Sequence, residues 1–159
     1  MVEGGLRFSS ALHVVATFSP SEVVEIPEIG LETSRLVCFS DKGFCRYYVG
    51  IRETQKPCEW VYMSIETLEI IKSFAPKKIR RHVLGKYARE HSLVVPKYMR
   101  KVSWRLMVRV MPREAARFIQ SRFSELKISE ARYEDLLNEA DEYYPKYLSY
   151  IRQNIYLLH

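Results

Sequence analysis

Long apolar runs are missing from this chain of 159 residues. The longest, from Ala11 to Phe18, is broken by His13 and falls well short of the roughly 18 residues needed to cross a bilayer, which excludes a membrane span. The start, Met1 to Arg7, lacks the basic region, apolar stretch and small-residue cleavage site of a secretory signal, so the protein is expected to be intracellular. Cysteine is scarce as well. Cys38, Cys45 and Cys58 are odd in number and form no CxxC pair, so neither a disulfide framework nor a paired-thiolate zinc site is expected, and the three are read as buried, reduced thiols. Asn and Gln total only five, a shortage of thermolabile amides that fits a heat-adapted source.

Carboxylates are nearly absent from one stretch. Residues 72–122 hold 15 Lys and Arg against Glu90 and Glu114, a net charge of +13, whereas residues 1–71 are net −4 and residues 123–159 net −3. The overall +6 therefore belongs to one central segment. A concentrated cationic surface attracts a polyanion, because phosphates neutralised by Lys and Arg release condensed counterions. Nucleic acid is the expected partner, with Lys77, Lys78, Arg80, Arg81, Lys101 and Arg105 as backbone contacts. Membrane-surface binding is disfavoured, because these charges are spread over several helices rather than set opposite one apolar face.

What is abundant is core material. A chain that is 47% hydrophobic, 13% aromatic and 28% charged can bury a core and keep a soluble surface, which excludes wholesale disorder. Its length favours a single domain. Leu6 to Phe18 has helical spacing and stops before Ser19-Pro20, and the stretch to about Thr33, with Pro27 and Gly30, reads as a connector. Arg35 to Phe39, Cys45 to Val49 and Glu59 to Met63 are β-branched and aromatic runs separated by turn residues, which predicts a three-stranded antiparallel meander. The remainder predicts helices over about 64–74, 77–91, 96–109, 112–123, 129–140 and 145–157, with Pro76, Pro96, Pro112 and Pro145 near helix starts. The fold class is α+β, mostly helical with a small sheet.

Four features stand in a telling order: Gly5-Leu-Arg7-Phe-Ser-Ser-Ala-Leu12, Lys56 in the second hairpin, Lys97-Tyr-Met-Arg100-Lys101, and Ala131-Arg-Tyr133-Glu-Asp-Leu136. Together they resemble the catalytic domain of tyrosine recombinases. That family carries an Arg after Gly-Leu, a hairpin lysine, a His-x-x-Arg or Lys-x-x-Arg box, and a nucleophilic Tyr near the C-terminus. Met111-Pro-Arg-Glu-Ala-Ala-Arg-Phe-Ile-Gln-Ser-Arg122 and Ala140-Asp-Glu-Tyr-Tyr-Pro-Lys-Tyr147 resemble archaeal integrases more closely, in particular those of fuselloviruses. The resemblance covers nearly the whole chain. It implies a site-specific recombinase that cuts and rejoins double-stranded DNA at an attachment site through a 3′-phosphotyrosyl intermediate without metal, nucleotide or other cofactor, and that self-associates on DNA.

The chemistry demands the same residue types. Phosphodiester cleavage without metal must stabilise charge on a pentavalent phosphorus, supply a nucleophile and protonate a leaving oxygen. Arginine binds phosphate oxygens with a fixed fork of donors and stays charged, so Arg7 and Arg100 are expected clamps and Arg122 a third donor where many relatives carry His. By resemblance, Lys56 reaches the DNA near the cut and protonates the 5′ oxygen, with Lys42 in the other turn as the competing choice. Lys97 stands where many relatives place His, and its role is open between donor to a nonbridging oxygen and aid to Tyr deprotonation. Tyr133 is the expected nucleophile, its phenolate favoured by neighbouring cations. Tyr143, Tyr144 and Tyr147 are read as packing residues.

Two departures from the family pattern stand out. Ser10 replaces the acid that usually follows the first Arg. The chain also begins almost at the first box, so residues 1–159 are expected to be a catalytic domain without the N-terminal DNA-clamping domain of relatives. The alternatives are a noncatalytic DNA-binding module derived from an integrase and, less favoured, a metal-dependent nuclease, for which the cationic segment offers just two carboxylates.

Overall fold

A computed structural model describes residues 1–51, 57–122 and 129–156. In chain order the elements are α1 (Phe8–Thr17), β1 (Val23–Ile26), β2 (Leu31–Ser34), β3 (Leu36–Phe39), a 3-10 turn (Ser40–Lys42), β4 (Phe44–Ile51), β5 (Cys58–Ser64), α2 (Ile65–Phe74), α3 (Arg81–Glu90), α4 (Pro96–Val110), α5 (Arg113–Ile119) and α6 (Glu130–Ile151). The fold is α+β, with helices on both faces of a small antiparallel sheet ordered β3-β4-β5.

Alternation along β4 and β5 makes the sheet two-sided. Phe44, Tyr48, Trp60 and Tyr62 face the larger core, built with Met107, Phe118, Tyr133, Tyr144 and Tyr147 from α4, α5 and α6. Tyr47, Val49, Val61 and Met63 face a second core closed by Val14 of α1 and Leu68 of α2. Side chains two apart in a strand share a face, so these aromatic and β-branched runs bury both sides at once. β5 is an edge strand, yet every residue in it is buried. Gly4 runs against it so closely that a Cβ there would sit 2.7 Å from the Tyr62 carbonyl oxygen, and Glu3 accepts hydrogen bonds from the Ser64 amide and hydroxyl at 2.9 and 3.1 Å.

The alternation fails at one place, with consequences for the site. The β4–β5 register slips between Tyr48 and Ile51, where Gly50 has a φ of +71°. A bulge of this kind re-aims the side chains beside it. Glu59 and Trp60, neighbours in sequence, both reach the same hydroxyl on α6.

Three sequence expectations are corrected. The connector before Thr33 is a hairpin: β1 and β2 pair with Ile26 opposite Leu31, and Pro27 and Gly30 form its turn, Gly30 at a φ of +56°. The predicted helices 129–140 and 145–157 are one helix, α6, with Pro145 inside it, followed by a π-helical turn over Arg152–Tyr156. An interior proline costs about 3 kcal/mol. Beyond it Tyr147, Leu148 and Ile151 continue the buried stripe begun by Tyr133, Leu136, Leu137, Ala140 and Tyr144. At roughly 1.5–3 kcal/mol for each large apolar side chain, their burial outweighs the proline. Finally, Cys38 and Cys45 are a disulfide rather than reduced thiols, because the β3–β4 register sets them directly opposite with Cα atoms 4.1 Å apart. Cys58 is buried and free, as expected.

A polar anchor fastens α6 to the sheet. Arg46 of β4 pairs with Asp141 of α6, and the Tyr62 hydroxyl donates to the same carboxylate at 2.9 Å. The Arg46 guanidinium also lies 4.9 Å from the centre of the Trp60 ring. Burial raises the pKa of Asp141 above the usual carboxylate range, although Arg46 and the Tyr62 hydroxyl oppose the shift.

Candidate active site

Three arginines from distant parts of the chain converge where α1, α4 and the end of α5 meet. Arg7 is the residue before α1, Arg100 lies in the second turn of α4, and Arg122 follows α5. Arg100 donates through Nη1 to the Gly5 carbonyl at 2.9 Å and through Nη2 to the Gln120 carbonyl at 2.7 Å, so two of its donors hold the backbone and the rest of the fork is left for a ligand. Arg7 donates to the Pro57 carbonyl at 2.7 Å. Arg122 donates through Nε to Gln120 Oε1 at 2.8 Å and stacks on Trp104, 4.7 Å from the ring centre.

These cations act on one another. Partial burial, then Arg7 and Arg122, push the Arg100 guanidinium down to about 10, still protonated at neutral pH. Arg122 is lowered too, by partial desolvation and then by Arg7 and Arg117. Among the described residues no carboxylate forms an ion pair with Arg7, Arg100 or Arg122. Three mutually repelling guanidiniums with spare donors suit a phosphate, whose oxygens accept several hydrogen bonds at once.

Gln120 is the hub that sequence reading missed. It is 1% exposed, its carbonyl holds Arg100, its Oε1 holds Arg122, and its Nε2 reaches Ser103 Oγ at 3.4 Å. Gly5 makes room for it: a Cβ there would lie 2.3 Å from Gln120 Nε2, and Gly5 has a φ of +59°. The Gly-Leu-Arg box thus has a local cause, since only glycine gives a left-handed turn at this contact. Gln120 sits inside the run ending at Arg122, but nothing in its spacing marks it as the hub. Trp104, one helical turn after Arg100, is a second residue that sequence reading missed.

The other expected site residues lie as follows. Lys97 is exposed one turn before Arg100, its Nζ 5.0 Å from the Tyr98 ring centre. Lys56 falls outside the described residues, directly before the Pro57 carbonyl that holds Arg7. Lys42 lies 5.5 Å from the Phe39 ring centre and acts on Asp141, away from the arginines. Ser10 is buried, and burial raises the pKa of the Cys58 thiol, opposed by Ser10 and by Arg100 and Arg7 nearby. Tyr133 is not brought to the arginines as an exposed group. It is 1% exposed, its hydroxyl donates to Glu59 Oε1 at 2.6 Å, and it accepts from Trp60 Nε1 at 2.7 Å. Tyr144 and Tyr147 are buried packing residues, as expected, and Tyr143 packs against the same core.

The basic segment presents its charge outward. Lys77, Lys78, Arg80, Arg81, Lys101 and Arg105 are all exposed, and none pairs with a carboxylate among the described residues. α3 buries none of its side chains and carries a single acid, Glu90, which pairs with Lys86. Among the described residues no three His, Cys, Asp or Glu side chains are grouped to hold a metal ion, and no helix is long and apolar enough to cross a membrane.

No curated protein and no solved structure matches the chain. The family model described as archaeal phage integrase matches residues 1–150, which takes in all three arginines, the basic segment and most of α6. The chain belongs to the archaeal phage integrase family, and with it to integrase-related, DNA-binding function.

Proposed function

We propose that the protein is the catalytic domain of a tyrosine recombinase that integrates DNA inside the cell. Arg7, Arg100 and Arg122 bind the nonbridging oxygens of the scissile phosphate and stabilise the charge that builds on phosphorus. The Tyr133 hydroxyl gives up its proton to solvent as its oxygen attacks phosphorus, the bond to the 5′ oxygen breaks, and Lys56 supplies the proton that leaves with the 5′ hydroxyl. Lys97 donates to a nonbridging oxygen from the exposed side. The 3′-phosphotyrosyl bond conserves the phosphodiester energy, and a 5′ hydroxyl from a partner strand reverses the step. Copies of the chain meet on DNA to exchange strands.

The observation that carries this reading is the cluster of three arginines from separate segments, unneutralised by any described carboxylate and fixed through Gln120. The noncatalytic reading draws on the burial of Tyr133 and on Ser10 in place of an acid. A nicked suicide duplex separates the two. The enzyme leaves protein covalently attached to the 3′ end, the linked peptide contains Tyr133, and Tyr133→Phe keeps fold and DNA affinity but gives no adduct. DNA binding by wild-type protein without any adduct on duplexes carrying its attachment site sinks the catalytic reading.

A further inference from the structure

We propose that Glu59 and Trp60 form a clamp that stores the Tyr133 hydroxyl, and that DNA engagement must release it before the tyrosine attacks phosphate. Both are positioning residues, and the inference rests on the reading of Tyr133 as the nucleophile.

The hydroxyl sits between the two groups with both of its hydrogen-bonding roles used, donating to Glu59 Oε1 at 2.6 Å and accepting from Trp60 Nε1 at 2.7 Å. Its ring meets Phe118 edge to face at 5.3 Å, and the residue is 1% exposed. No phosphate of a duplex reaches an oxygen so placed. Glu59 is itself only 5% exposed. A buried carboxylate is costly unless hydrogen-bonded, and an apolar side chain would serve packing better. Held against the Tyr133 hydroxyl, it competes with phosphate for that oxygen. In a regular strand residues 59 and 60 would face opposite sides, and the bulge at Gly50 is what lets both converge on α6. The clamp also adjoins the phosphate site: the Glu59 amide donates to Ser121 Oγ at 3.1 Å, and Arg122 is the next residue. A phosphate drawing on Arg122 thus acts one residue from the clamp.

The test measures single-turnover adduct formation on the nicked duplex at saturating protein, for wild type, Glu59→Gln and Trp60→Phe, with DNA affinity measured beside it. Loss of one hydrogen bond of ordinary net strength is a factor of about five, so each variant is expected to form the Tyr133 adduct about fivefold faster at unchanged affinity. Equal or slower formation by folded variants overturns the clamp, and a slowed Glu59→Gln with wild-type behaviour in Trp60→Phe makes Glu59 the proton acceptor instead. Should either variant fail to fold, the Trp60 indole N–H resonance of ¹⁵N-labelled protein is read in wild type and Tyr133→Phe. It is expected to differ between the two when free, and on an uncleavable duplex the wild-type signal is expected to move to the Tyr133→Phe position. A signal that stays put overturns the proposal. An adduct mapped to another tyrosine overturns the catalytic reading, whereas a Tyr133 adduct with unaccelerated variants overturns the clamp alone.

Discussion

Gly5→Ala isolates the cause of the arginine geometry, because a second glycine offers a matched control. Gly5 and Gly30 have nearly the same left-handed backbone, with φ of +59° and +56°. A side chain in that region costs roughly 1–2 kcal/mol at either position. Around Gly30 a Cβ meets nothing within 4 Å, whereas at Gly5 it meets Gln120 Nε2 at 2.3 Å and two further Gln120 atoms at 2.6 Å. Gln120 is buried and has to move, so its bond with Arg122 breaks and its amide is left poorly satisfied, a further ~1–3 kcal/mol. For a domain of this size each kcal/mol shifts the melting temperature by about 2–4 °C. Gly30→Ala is therefore expected to melt about 5 °C lower than wild type and Gly5→Ala about 10 °C lower. Cleavage should separate them further. Arg100 is aimed through the Gly5 and Gln120 carbonyls, and a displacement of about 1 Å in a phosphate clamp costs on the order of a hundredfold in rate. Gly30→Ala should cleave like wild type. Adding Gln120→Ala to Gly5→Ala should recover part of the lost stability, since the clash is then gone. Equal melting shifts for the two glycine variants, or wild-type cleavage by Gly5→Ala, would refute the reasoning.

Arg100→Ala is expected to lower single-turnover cleavage by a hundredfold or more, roughly the effect of removing one preorganised donor, while DNA affinity changes little. Arg100→Lys should not restore it, because one ammonium cannot span the Gly5 and Gln120 carbonyls and a phosphate together. Binding to duplex DNA, measured across a salt series, should fall with a log–log slope of about −4 to −5 if roughly five phosphates are neutralised, and Lys78→Gln with Arg81→Gln should flatten it by nearly two. A slope near zero removes the argument from charge. Burial gives Asp141 a raised pKa, so the folded state holds its proton more tightly than the unfolded chain does. Its contribution to stability is greatest below the usual carboxylate range and is lost as pH rises through the raised value, so denaturant titrations should show the advantage of wild type over Asp141→Asn narrowing as pH is raised from the usual carboxylate range upward. An advantage that widens over that range reverses the assigned direction.

The sheet was legible because its runs alternate and bury both faces, as Phe44 to Val49 and Trp60 to Met63 do. β1 and β2 were not, because Pro27 and Gly30 carry the same breaker signal in a hairpin turn as in a connector. Pro145 misled for a different reason. Propensity weighs one residue, while the stripe from Tyr133 to Ile151 weighs eight, and the larger sum decides where α6 ends. The cysteine pair needed the register of β3 on β4, which spacing alone does not supply. In the site, Arg7, Arg100 and Arg122 were legible because phosphate chemistry restricts the residue type. Gln120 and Glu59 were not. Their importance comes from burial and from the bulge at Gly50, which are properties of the folded backbone.

The continuity of α6 limits how its tyrosine can travel. Seven buried apolar side chains from Leu136 to Ile151 and the Arg46–Asp141 pair pin the helix beyond its first turn, so it neither slides nor swings as a rod. What can give way is the first turn, where Ser129 accepts from the Arg132 amide at 3.4 Å through its hydroxyl and from the Tyr133 amide at 2.9 Å through its carbonyl. Each residue that peels off trades a rise of about 1.5 Å for about 3.3 Å of extended chain, so four residues lengthen the tether by roughly 7 Å. The next buried side chain, Leu136, lies three residues further on and stops the peeling there. On the reading proposed above, the helix works as a reel with a fixed stop, and the length of strand it lets out bounds the distance across which Tyr133 is delivered.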